Sequence, residues 1–212
     1  MIKQELISQI RAKLLAEKPG ADNSYLADER RVERDISNAT NAIFFQIFKK
    51  NPENLDRYSK SYYNIPVIQD LNSLIYYSSL PAKVIQFPIV GDGVRQVNLM
   101  QSTDVNFVPM KLSDRMFFAS TDAGNITSVI GYIVTAQTSN GNSFDGIVQY
   151  FGNGISSISS VKMDLVVDFT EYLSTEDYPI PAGQDENIIN MIIQQFKATL
   201  RPAHRIANEQ EL

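Results

Sequence analysis

Apolar positions recur every three to four residues at the start of the chain. Ile2, Leu6, Ile10 and Leu14 share one helical face, widened by Ile7 and Leu15, so an amphipathic helix is expected over 2–17. Pro19-Gly20 stops it, and Ser24 is a candidate N-cap for a longer helix reaching Lys50. In that helix Val32, Ile36, Ala39, Ile43 and Ile47 form the stripe, broadened by Phe44 and Phe48. Arg30, Arg31 and Arg34 interleave with Asp28, Glu29, Glu33 and Asp35, which reads as a solvated face rather than a nucleic-acid patch.

Residues 51–64 are polar and tyrosine-rich and are expected to be a connector. Beyond them the period falls from 3.6 to 2. Strands are expected at Val67–Leu71, Leu74–Tyr77, Val94–Leu99, Ser128–Ala136 and Gly146–Phe151, with an extended segment at Lys83–Phe87. Asn140-Gly141 is a hairpin turn signal. Val161–Phe169 is the cleanest strand: Val161, Met163, Leu165, Val167 and Phe169 point one way, and Lys162, Asp164 and Asp168 the other. An acidic, proline-containing turn follows over 171–183, then a helix over 184–200 striped by Ile188, Ile192 and Phe196. Asp185 and Glu186 lie in its first turn, where the helix dipole favours anions. A polar tail, 201–212, closes the chain.

Helices and strands are thus segregated. The expected fold is α+β: an N-terminal helical pair over 1–50, a central, mostly antiparallel, sandwich-like β region over 65–170, and a C-terminal helix.

Composition narrows the chemistry. Hydrophobic residues make up 43% of the 212, enough for a real core, and the net charge of −5 gives no basic field for nucleic acid or an anionic membrane. No apolar run reaches the roughly 20 residues of a membrane span, and the polar N-terminal residues carry no signal-peptide core, so synthesis and residence in the cytoplasm are expected. With no cysteine and a single histidine, His204 in the tail, neither thiolate nor Ser–His catalysis is expected, nor a transition-metal site or other cofactor. Gly91-Asp92-Gly93 and Gly152-Asn153-Gly154 lack the third glycine of a dinucleotide fingerprint and read as turns. Glu176 and Asp177 are the one carboxylate pair that a hydrolase could use, but adjacent acids beside prolines more often cap or face solvent. The chain therefore reads as no enzyme.

Two stretches carry a resemblance. Tyr76-Tyr77-Ser78-Ser79-Leu80-Pro81-Ala82-Lys83-Val84-Ile85-Gln86-Phe87-Pro88, followed by Gly93-Val94-Arg95-Gln96-Val97, resembles a mid-chain pattern in virion structural proteins of crAss-like phages. The close, an apolar strand, then Asp177-Tyr178-Pro179-Ile180-Pro181, then an amphipathic helix, resembles the end of many head–tail adaptor and tail-ring subunits. The likeness covers roughly 65–200 in order of elements. It implies a structural ring of about twelve copies below the portal, whose lumen passes genomic DNA between head and tail of the virion. An acidic lumen would let DNA slide without sticking. The partners implied are other copies of the chain, the portal protein and neighbouring tail or ring proteins, with no membrane.

Candidate contacts between subunits are Asp177 and Tyr178 in the acidic turn and Arg201, His204, Arg205 and Ile206 in the tail. The N-terminal helices carry more apolar surface than a small β domain needs, so part of it is expected to pack on neighbours. The alternative is a tail accessory or receptor-binding module, for which Tyr58, Tyr62 and Tyr63 are the candidate aromatic cluster.

Overall fold

A computed structural model describes residues 1–17, 29–88, 91–100, 105–115, 129–139, 143–181 and 183–196. The fold is α+β, with an N-terminal pair of helices, β-sheets and a C-terminal helix. The chain forms two compact units: a helical one of 1–46 with 169–212, and a β-rich one of 47–168.

In the helical unit, α1 (Lys3–Glu17) buries Leu6, Ile7, Ile10 and Leu14, the stripe its period implies, while Leu15 is left 46% exposed. Helix α2 (Glu29–Lys50) begins in this unit and buries Val32, Ile36, Ala39, Ile43 and Phe44, with Arg30, Arg31 and Arg34 on the exposed side. Ser24, the expected cap, lies outside the described residues. Helix α3, over 185–196, buries Ile188, Ile189, Ile192, Ile193 and Phe196. Most residues of the apolar stripes are thus buried within the chain.

The first residues meet the segment 172–178 in this unit. Ile2 bridges Asp177, and the amides of Lys3, Gln4 and Tyr178 bond to the carbonyls of Glu176, Ser174 and Met1 at 3.0, 3.1 and 2.9 Å. A segment of one extended residue before a helix can do this because the first amides of a helix have no partner within it. Lys3 completes the join. Its ammonium lies 2.9 Å from the Tyr172 carbonyl, 2.9 Å from Glu33 and 5.1 Å over the Phe169 ring.

The β-rich unit holds two sheets. In the smaller, β9 (Ser160–Leu165) lies between β1 (Lys60–Pro66) and β5 (Val94–Asn98), antiparallel to both. The larger runs β2 (Ile68–Gln69), β3 (Tyr76–Ser79), β8 (Ser143–Phe151), β7 (Val129–Ser139), β6 (Asn106–Pro109), with β4 (Val84–Ile85) continuing the β3 side of β8. Among the described strand pairs only β6–β7 is parallel. β7 and β8 form the expected hairpin, though its Asn140-Gly141 turn lies outside the described residues.

Three expectations change here. The supposed connector 51–64 is structured: Asn51 caps a 3-10 helix, Pro52–Tyr58, by accepting from the Glu53 amide, and β1 follows. β1 escaped its pattern because it is an edge strand with only Ile65 fully buried, broken by a bulge where Asn64 takes φ +57°. The strand placed at Val67–Leu71 shrinks to β2 and that at Leu74–Tyr77 shifts two residues on to β3, which leaves Leu71 and Leu74 in the turn between them. Finally, the strict alternation expected of Val161–Phe169 fails. Asp164 is only 8% exposed, because β9 is flanked on both sides; it accepts from Ser61 Oγ and pairs with Lys162 at 3.1 Å. After Leu165 the strand ends, Val167 bridges Val84 of β4, and Val166, Val167, Asp168 and Phe169 are all buried.

Candidate subunit interface

Besides Tyr63 and Met100, the exposed large apolar side chains described in the β-rich unit lie beside the two ends of the six-stranded sheet. At one edge, β2 and β3 pair through Ile68↔Tyr77 and Gln69↔Tyr76, and residues 70–75 turn the chain between them. Ile68, Leu71 and Leu74 are 45%, 84% and 67% exposed. Large aliphatics with this much water contact at one tip are unusual on a surface that needs no partner.

The turn is rigidly built. Asp70 Oδ1 accepts from the Asn72 amide at 3.1 Å and Asp70 Oδ2 from Ser73 Oγ at 2.5 Å; the backbone closes with Leu74 N to Asp70 O at 2.7 Å and Asp70 N to Ile75 O at 2.9 Å. This is the Asx-turn chemistry that Asp and Ser favour in loops. It holds Leu74 at φ +58°, a left-handed conformation that costs a non-glycine residue on the order of 1 kcal/mol. The hydrogen bonds from Ser73 and Asn72 hold the Asp70 carboxyl below its ordinary value of 3.8.

That shift has a pH consequence. A carboxylate with a lowered native pKa supports the turn above its unfolded value and loses that support as pH falls through the native one. The Asp70 carboxyl is therefore expected to titrate below 3.8 by NMR, with the Asn72 and Ser73 amides shifting at the same midpoint. In Asp70→Ala these two amides should exchange with solvent faster at neutral pH while β7–β8 protection is unchanged. Equal protection in the variant would mean that the carboxylate does not organise the turn.

At the opposite edge, Val108 on β6 is 43% exposed, and Leu112, in the 3-10 turn Leu112–Asp114 that follows, is 70% exposed. Beside them opens a cleft of about 390 Å3, walled by Val94, Pro109, Met110, Tyr132 and Val134 and by four charged residues, Asp92, Arg95, Lys111 and Asp114. Gly91 permits the close approach of its floor: at φ +104°, a side chain there would be strained and would meet Val134 Cβ at 3.1 Å. Burial pushes the Tyr132 phenol up to about 12, against the opposing pull of Arg95. Arg95 itself serves the fold, with its three guanidinium nitrogens on Asp56 Oδ1, Asp92 O and Pro52 O at 2.7, 3.0 and 3.1 Å.

The residues singled out from the sequence fall elsewhere. Asp177 has an 82% exposed carboxylate 3.6 Å from the N-terminal amine. Tyr178 is 1% exposed, in the core of the helical unit with Phe44, Phe169 and Tyr172 around its ring, so its side chain is no surface contact. Arg201, His204, Arg205 and Ile206 lie outside the described residues. Glu176 accepts from the Leu173 amide at 2.8 Å, the capping use of an acid beside a turn. Tyr58 ends the 3-10 helix, while Tyr62 and Tyr63 are consecutive on β1 and have different lysines, Lys60 and Lys162, over their rings.

Leu71, Leu74 and Leu112 were the residues that sequence reasoning missed. The local signal for Leu71 and Leu74 was Asp70-Leu71-Asn72-Ser73, an Asx-type turn that leaves its apolar neighbours no strand to lie in.

Among the described residues no helix is long and apolar enough to cross a membrane. No protein-family model matches the chain, and no curated protein matches it.

Proposed function

We propose that this chain is a structural virion subunit, one stave of an oligomeric ring in the head–tail connector of a tailed phage. The ring joins portal to tail and passes DNA through its lumen. The observation that carries the reading is the pair of exposed apolar patches at the two edges of a single sheet. A surface of this kind suits a subunit with one neighbour on each side, as a closed ring requires. The likeness of Tyr76–Pro88 and Gly93–Val97 to crAss-like phage virion proteins supplies the biological setting, and those residues form β3, β4 and β5. The net charge of −5 per copy suits a channel that DNA must traverse without adhering.

Mass photometry and cryo-EM of the purified full chain, alone and with the portal ring of a crAss-like phage, test the reading. Rings, or a cap of many copies on the portal, are expected. A chain that stays monomeric and ignores the portal sinks the connector role and favours a tail accessory or receptor-binding module.

A further inference from the structure

We infer that a second cavity of the β-rich unit, where the 70–75 turn meets the six-stranded sheet, binds a neutral sugar, one hexopyranose ring. The inference goes beyond the ring reading and does not depend on it.

Its first ground is placement. The cavity measures about 260 Å3. Asp70, Ser73 and Ile75 line it from the turn. Tyr77 of β3, Ile147 and Gln149 of β8, and Gln137 of β7 line it from the sheet. Strand register explains why these side chains converge. Tyr77 lies opposite Gln149. Ile147, two residues earlier on β8, shares the Gln149 face. Gln137 falls at the bulge between Ala136 and Thr138, the kind of irregularity that re-aims a side chain. The volume is just below the roughly 300–1,000 Å3 of sites for drug-sized molecules, as suits a ligand of one ring.

The second ground is chemistry. The Gln137 and Gln149 amides each hold donors and an acceptor, and the Tyr77 phenol can do both. A sugar hydroxyl is also donor and acceptor, so each of these groups can pair with one. Asp70 accepts one hydrogen bond on each carboxylate oxygen, from the Asn72 amide and from Ser73 Oγ. Those bonds fix the carboxylate and leave each oxygen a further lone pair for a hydroxyl donor. Bonds to a charged acceptor are stronger than neutral ones. Ile75, Ile147 and the Tyr77 ring add apolar surface for the C–H face of the sugar.

The third ground is what the lining disfavours. Among the described residues that line the cavity there is no lysine, arginine or histidine. A phosphate or carboxylate would meet Asp70 without a counter-charge. Calcium seeks roughly six to eight oxygen ligands, several from carboxylates, and Asp70 is the sole acid in the lining. Among the described residues no group of three or more acids or histidines could hold a metal ion. A purely apolar ligand would strip water from the amides and the carboxylate and give nothing back.

The test uses ligand-observed saturation-transfer NMR on the full chain, which reads a monomer or a ring equally well. The probes are the methyl α-pyranosides of glucose, galactose and mannose. At least one should take saturation, with a Kd of about 1 mM. Gln137→Ala and Gln149→Ala should each weaken that binding roughly 10-fold, the loss of about one hydrogen bond. Gln137 is exposed and Gln149 half-buried, so neither truncation opens the core, and melting curves matching the parent establish that both are folded. Silence from all three sugars overturns the inference, as does equal binding by the parent and both folded variants. Displacement of the sugar by inorganic phosphate or by calcium chloride would assign the cavity to an ion and overturn it too. Each of these failures leaves the ring reading untouched, because that reading is decided by assembly and portal binding.

Discussion

Replacing Tyr178 by alanine should cost the helical unit about 3–5 kcal/mol, the range for deleting a large aromatic from a packed core. The ring is 1% exposed. It meets Phe169 and Tyr172 edge-on, each with centroids 4.8 Å apart and interplanar angles of 82° and 89°, and Phe44 at 6.3 Å. Such edge-to-face contacts add to plain burial because the positive ring edge faces the negative π face. Three rings share this one neighbour, so its removal leaves a cavity that none can fill without giving up its own packing. In chemical denaturation the transition of the helical unit should move to markedly lower denaturant. Tyr178→Phe, which keeps the ring, should lose no more than about 1.5 kcal/mol. A Tyr178→Ala variant as stable as the parent would mean that the tyrosine is not in the core.

Lys3→Ala is expected to cost about 2–4 kcal/mol, through charge rather than volume. The Lys3 side chain is 7% exposed, and Glu33 opposite it 25%. Removing the ammonium strands a half-buried carboxylate and takes the donor from the Tyr172 carbonyl. Because Glu33 keeps some water, the cost falls below that of breaking a fully buried pair. Lys3→Met should be nearly as harmful, since it restores the stem and not the charge. Lys3→Met combined with Glu33→Leu should recover much of the loss, since no charge is then stranded. Urea titration of the three variants reads all of this. Equal stability of Lys3→Met and the double variant would show that Glu33 does not depend on the lysine.

Both predictions concern side chains whose burial draws on residues distant in the chain, Tyr172 for Lys3 and Phe44 for Tyr178, and neither was legible locally. Lys3 reads as one more polar residue on an amphipathic helix, and Tyr178 as part of an exposed acidic turn. The partners that bury them lie up to 169 residues away. The same limit hid β1. Lys60–Pro66 carries one fully buried residue and a bulge, so its strand character comes from pairing with β9, about 100 residues downstream in the chain. It also misjudged Asp164, whose polar side chain suggested solvent until flanking strands and Ser61 and Lys162 enclosed it.

What the amino-acid order determined by itself is whatever depends on near neighbours. The buried faces of α1, α2 and α3 follow from a 3.6-residue period, the β7–β8 hairpin from alternating runs about an Asn-Gly turn, and the α+β class from the order of these patterns. Tertiary structure alone decided which apolar residues remained outside. Leu71, Leu74 and Leu112 are as hydrophobic as Leu6 or Leu14, and burial is a property of surroundings, not of residue type. Only when the strand order is set do those exposed leucines fall beside opposite ends of one sheet as its described strands are ordered.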